Sequence, residues 1–315
     1  MTLVSDDRLA ALLLAQRLTG SDVSPLKASE YWTLLHAAPS PGILLGLNPA
    51  QVQELAGVDT ELAQRVVVLL DQATAFAFRL DELEQSGIRA ISSIDGDYPE
   101  RLRHRLGRGA PPILYLAGPA ALLSSELLGI VGSREVDPAG ATIAQGAARI
   151  AVSHGSGVVS GGAKGVDRLA MNAALDKGGF VVGVLADSLL RTLRDPDLRR
   201  AIADEQACMC TPYVPTAGFN VANAMGRNKL IYALSNATLV VRADRETGGT
   251  WAGAVEAQRQ QFAPVLVWTG DGGGHGNQAL TEIGATAIAC LDRLYPLPER
   301  RENLDSEGEQ LRLGL

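Results

Sequence analysis

Three short segments of this chain place glycines beside cations, and that pairing of residue types is what anion binding requires. The first is Gly129-Ile130-Val131-Gly132-Ser133-Arg134. Gly132 closes an apolar run and lets the backbone approach a ligand. Ser133 offers a hydroxyl, and Arg134 a guanidinium fork that matches a phosphate. The second is Ser160-Gly161-Gly162-Ala163-Lys164-Gly165-Val166-Asp167. Its glycine spacing fits neither the dinucleotide fingerprint nor the P-loop. A glycine turn with a lysine at its apex can nonetheless aim successive N–H groups at an anion. Asp167 has three roles open to it: capping the next helix, holding the loop, or hydrogen-bonding a sugar hydroxyl. The third segment is split, with Gly226-Arg227-Asn228-Lys229 near the start of one helix and Thr247-Gly248-Gly249-Thr250 before another that carries Glu256.

These residues need a frame that brings them to one place. Short apolar, β-rich runs are expected as strands at Leu128–Val131, Gly157–Ser160, Phe180–Leu185, Thr238–Arg242, Val265–Thr269 and Thr286–Ala289. Strands apolar along their whole length and separated by helical stretches signal a parallel sheet covered on both faces. The fold class read from this pattern is α/β, a Rossmann-like doubly wound sheet. In such sheets ligands bind beyond the carboxyl ends of the strands, so all three segments are expected on one edge.

Residues 1–86 read as a small helical module. Its helices are expected at Asp6–Leu18 (Ser5-Asp6-Asp7 as cap), from a Ser29 cap through Leu35, from Asn48-Pro49 to Gly57, and in one long stretch from Thr60 to Ser86. Residues 87–298 form the Rossmann-like unit, whose first part carries short strands at Ile88–Ile91 and Ile113–Leu116 and reads as a structured linker. Residues 299–315 are a charged tail.

Composition narrows the classes. The chain has 315 residues with 46% hydrophobic and 20% charged, enough to build a core without staples. Apolar runs such as Val66–Leu70 fall far short of the ~20 residues that span a bilayer, and no signal peptide is expected. Three cysteines cannot pair completely, and Cys208-x-Cys210 has no partner at metal-ligand spacing, so buried thiols in a reducing cytoplasm are expected. His36, His104 and His154 lack partners at metal or triad spacing, and His275 sits in a glycine-rich connector. Neither metal nor redox cofactor is expected. A net charge of −7 argues against broad duplex binding but leaves room for a local basic pocket. Aromatics at 4% allow only a small stacking platform for bases.

The segments together resemble the DNA-processing protein A family (DprA, also called Smf). The resemblance rests on Gly132-Ser133-Arg134, on Ser160-Gly161-Gly162-Ala163-Lys164-Gly165-Val166-Asp167 and on Arg227-Asn228-Lys229-Leu230-Ile231. It is supported by Pro41–Leu47, Asp97-Tyr98-Pro99 with Leu102, and Pro111–Gly118. It implies an N-terminal SAM-like or helix-hairpin-helix-like module before an extended Rossmann domain. It further implies binding of single-stranded DNA without catalysis, a homodimer, and loading of the RecA recombinase during natural transformation. Carried over, Arg134, Lys164, Arg227 and Lys229 contact phosphates, while Gly132, Ser133, Ser160, Gly161 and Gly162 supply backbone and hydroxyl donors. Asn228 could reach phosphate, sugar or base, and the Gly248-Gly249-Thr250 turn directs N–H groups at an anion. The chain departs from the family at Ala224-Met225-Gly226, where a Phe-Pro pair is usual, and at Gly248–Ala254. The winged helix that many members carry at the C-terminus is not expected, which marks a divergent branch.

Two other classes fit parts of the pattern. Arg227-Asn228-Lys229 and Thr247–Thr250 with Glu256 are similar to segments of Lonely Guy phosphoribohydrolases, where a carboxylate assists loss of a base. The same pocket could instead sense a nucleotide-derived ligand. A dinucleotide-dependent dehydrogenase is disfavoured by the missing glycine fingerprint.

Overall fold

The computed structural model describes residues 5–20 and 22–300. The helical N-terminus comprises α1 (Asp6–Ala15), α2 (Ala28–Ala37), α3 (Pro49–Ala56), α4 (Thr60–Leu70) and α5 (Ala73–Gln85). The chain continues through β1 (Arg89–Ser92), α6 (Glu100–Leu106), β2 (Ile113–Ala117), β3 (Leu127–Gly132), α7 (Pro138–Ser153) and β4 (Gly157–Ser160). Next come α8 (Val166–Asp176), β5 (Val181–Val184), the short α9 (Leu189–Thr192), α10 (Pro196–Ala203) and β6 (Ala207–Thr211). The last elements are α11 (Val221–Leu234), β7 (Ala237–Arg242), α12 (Gly248–Gln260), β8 (Val265–Trp268), α13 (His275–Glu282) and β9 (Thr286–Ile288).

Among the described residues the strands form one sheet in the order β1-β2-β6-β5-β4-β3-β7-β8-β9. From β6 to β9 all neighbours are parallel, while β1 and β2 run antiparallel at one end. The expected doubly wound sheet is therefore present. The segment read as a linker is not one: Tyr115, Leu116 and Ala117 pair with Thr211, Cys210 and Met209 and extend the sheet. Strand β6 was not among the expected strands, because Ala-Cys-Met-Cys offers none of the β-branched residues that mark its neighbours.

Alternation across the pleat divides the core in two. Val158, Leu239 and Val241 lie on the face covered by α7 and α8, in a core that continues to the N-terminal helices. Val159, Val240, Cys208 and Cys210 face α6, α11 and α12. The N-terminal helices also hydrogen-bond to the β1–β2 region. Arg8 donates to the Ala90 carbonyl at 2.9 Å and pairs with Asp95 at 3.0 Å, and the Trp32 indole donates to the Ala110 carbonyl at 2.9 Å.

Local signals decide most helix starts. Ser5 accepts from the Arg8 N–H, Asn48 from Gln51, and Asp59 from Leu62. The second helix instead starts at Ala28, with Lys27 at its cap and the Glu30 carboxylate accepting the Lys27 N–H at 2.8 Å, so Ser29 does not cap it. Asp6–Leu18 ends early, at Ala15. The long helix expected over Thr60–Ser86 is broken at Asp71-Gln72, where the Gln72 amide oxygen accepts from Thr19 and Gln16. A contact distant in sequence overrides continuous helical propensity there. The expected tail reaches the described residues only as far as Arg300. Cys208 and Cys210 are buried, but Cys290 is exposed, against the expectation for all three. Among the described residues no helix is long and apolar enough to cross a membrane.

Candidate anion-binding cavity at the switch point

Strand order reverses between β3 and β7: successive strands run outward from β3 through β4, β5 and β6 on one side, and from β7 through β8 and β9 on the other. The loops leaving β3 and β7 therefore diverge and open a crevice. A cavity of about 540 Å³ occupies it. Its walls come from Gly132-Ser133-Arg134, from Ala163 and Asp167, from the face of α11, and from Gly248-Gly249-Thr250.

Glycine makes the walls meet. A side chain at Gly132 would stand 2.6 Å from Val166 Cγ2. Gly165 has φ +88°, and a Cβ there would lie 2.5 Å from the carbonyl oxygens of Ser133 and Arg134. The Ser133 N–H donates to the Arg242 carbonyl at 3.0 Å, and the Val166 N–H to the Ser133 carbonyl at 3.3 Å. Three strand-exit loops are thereby tied together.

Arg227 forms the floor. It is only 6% exposed, and a Cβ at Gly161 would fall 1.4 Å from its Nη1. Gly161 is thus the slot in which the guanidinium lies. The guanidinium makes no hydrogen bond among the described residues, and Nε and Nη1 are sealed from solvent. A buried, unpartnered charged donor is costly, and native proteins rarely keep one without a reason. Asp167, also 6% exposed, attracts Arg227 without pairing with it. Its carboxylate instead accepts the N–H groups of Gly161, at 3.1 Å, and Ala163. Of its three open roles, holding the loop is the one observed.

Two further features point into the cavity. Helix α12 starts with Thr247 at its cap position, and no side chain caps its first N–H groups. The Asn228 amide holds this end by donating to the Gly249 carbonyl at 3.0 Å. At the mouth, Arg134 lies over the Phe219 ring at 5.0 Å, beside exposed Val221 and Met225. Sequence reading missed this apolar lip. Phe219, one of five phenylalanines, just before an Asn helix cap, was the available signal.

The expected site residues divide. Gly132, Ser133, Arg134, Asp167, Arg227, Asn228, Gly248, Gly249 and Thr250 meet at this cavity. Lys164 lines an adjoining cleft that shares Arg134 with it. Ser160 is buried; its hydroxyl donates to the Ile130 carbonyl at 2.6 Å and also lies against the Asp167 carboxyl. Gly162 is not on the cavity wall; at φ +65° it shapes the turn. Lys229 is not brought to this cavity. Residues 224, 228 and 231 of α11 share the cavity face, whereas Lys229 points off it and donates to the Gly109 carbonyl at 3.2 Å. Glu256 is exposed on α12 and does not line the cavity.

Fold and site define a Rossmann-like protein with a glycine-walled cavity, lined by Arg134 and Arg227, at its topological switch point. The chain belongs to the DNA recombination-mediator protein A family, whose model matches residues 89–297. It is 30% identical over 215 residues to a putative DNA processing protein DprA of Mycobacterium tuberculosis, covering 63% of this chain and 55% of that protein. It is 27% identical over 278 residues to protein Smf of Escherichia coli, covering 80% and 72%. Against the relatives from Mycobacterium tuberculosis and Synechocystis, the chain spans about half of their length, 55% and 51%. Its fold matches DNA processing protein A of Streptococcus pneumoniae with a TM-score of 0.69 at 20% identity, over 92% of this chain and 96% of that one. It also matches DNA processing protein A of Helicobacter pylori, solved for its single-stranded DNA binding mode, with a TM-score of 0.54 at 23% identity, over 65% and 92%.

Two outcomes follow from the buried charges. Arg227→Met keeps the volume and removes the unpartnered guanidinium. It is expected to stabilise the ligand-free protein by about 1–3 kcal/mol, read as a Tm higher by roughly a few degrees; a lower Tm would show the guanidinium to be satisfied where it lies. Burial pushes the Asp167 carboxyl above its ordinary range, and Arg227 and the loop N–H groups pull it only partly back. Its folded value thus exceeds the unfolded value of about 3.9, so its contribution is full below that pH and is lost as pH rises through the folded value. Asp167→Asn, which retains an acceptor for Gly161, should flatten the decline in denaturation midpoint upward from about pH 4; an unchanged profile would contradict this.

Proposed function

We propose that this protein binds single-stranded DNA as a non-catalytic DNA-processing factor, taking a backbone phosphate into the switch-point cavity. The observation that carries the reading is Arg227, sealed against Gly161 with no partner for its guanidinium. A phosphate in the cavity meets Nη2, the guanidinium nitrogen that is not sealed, and receives a charge-assisted hydrogen bond from a side chain already held in place. Arg134 at the mouth and the uncapped N-terminus of α12 add donors to the same anion. Phe219 offers a face for one unstacked base, which a duplex cannot present.

Membership of the family and the likeness to the Helicobacter pylori protein, whose structure was solved for its single-stranded DNA binding mode, support this reading. The role that follows is recombination mediation on single strands: RecA loading, with a homodimer multiplying a small footprint. Cytoplasmic residence belongs to the same proposal.

The test is fluorescence anisotropy with labelled oligonucleotides at increasing salt, beside a nucleoside monophosphate. Affinity is expected at low salt and should fall steeply as salt rises. Arg134→Ala should weaken all sequences alike, because phosphate contacts carry no sequence information. Gly161→Ala should leave the protein folded but expel Arg227 from its slot, with about a 10-fold or greater loss, the worth of one charge-assisted hydrogen bond. No affinity for any strand, with tight binding of the monophosphate, would overturn the proposal in favour of a nucleotide sensor.

A further inference from the structure

Beside the cavity lies a second, larger hollow of about 780 Å³, and the two share Arg134, Glu135 and Arg242. The shared residues form a ridge, so a chain leaving the cavity over Arg134 descends into this cleft. Its far wall is the outer face of α8. Lys164 stands just before that helix, and Arg168 and Asn172 follow on it. Arg168 and Asn172 are four residues apart, about 6 Å along the helix, a step close to that between successive phosphates of an extended strand. All three side chains are exposed. Neither Lys164 nor Arg168 is engaged in an ion pair or side-chain hydrogen bond among the described residues. Of the acids on this cleft, Asp137 is already neutralised by Arg242 at 2.7 Å, leaving Glu135 at the ridge. Asp176, four residues beyond Asn172, ends the series with a charge that repels phosphate.

We infer that this cleft is the continuation of the strand-binding site: Lys164 and Arg168 contact the phosphates following the one held by Arg227, and Asn172 marks the end of the track. The inference rests on the strand-binding reading of the cavity and adds its direction and its length. Arg168 was not among the residues expected from the sequence, since it sits between Asp167 and Leu169 with nothing but its place on the helix to distinguish it.

The experiment measures salt dependence for two probes, a thymidine dinucleotide that fills only the cavity and a long oligothymidylate that reaches the cleft. Arg168→Ala is expected to lower the slope of log K against log salt by about 0.7 for the long probe, one phosphate's worth on a single strand. The dinucleotide should be unaffected, and Arg168→Lys should restore the slope. Unchanged binding of the long probe, or equal loss for both probes, overturns the track while leaving the cavity reading intact. Absence of binding to both probes by the unsubstituted protein overturns the cavity reading together with the track.

Discussion

A guanidinium buried without a partner governs this structure. Arg227 lies in a slot that exists because position 161 has no side chain, and the slot exists because β4 ends one residue earlier in a turn held by Asp167. The surrounding loops are tied to one another so that the slot keeps its shape without a ligand. Such an arrangement weakens the folded state, since neither the charge nor its donors are satisfied internally. Proteins tolerate that cost mostly where a ligand removes it.

The sheet explains why this happens at one place. Within the parallel part of the sheet the strand order reverses between β3 and β7, and the loops leaving these two strands diverge to leave a hollow over the carboxyl edge. Gly132 and Gly165 let the loops from β3 and β4 approach to backbone contact, and α12 begins on the opposite wall. The two antiparallel strands at the far end, β1 and β2, take no part in the cavity. They extend the sheet to where the N-terminal helices pack.

Much of the site was legible in the sequence because its chemistry is local. Gly161 through Asp167 announces a strand-to-helix turn able to face an anion, and Gly132-Ser133-Arg134 another. Which faces of α11 meet the cavity was not legible from clustering of charge alone: Arg227 and Lys229 are two residues apart, and the helix sends one to the cavity floor and the other to Gly109. Strand β6 escaped notice because cysteine and methionine carry weak strand signals, though burial on both faces of the sheet suits them. The break at Gln72 depends on Thr19 and Gln16, more than fifty residues earlier, and no local pattern encodes it. Phe219 and Arg168 are single residues whose importance comes only from what folds beside them.

The most direct measurement is a structure of the protein bound to a short oligothymidylate. A phosphate oxygen within hydrogen-bond distance of the Arg227 guanidinium, with the α12 N-terminus turned to the same group, is the expected result. A strand bound on another surface, with Arg227 still unpartnered in its slot, would contradict the central claim.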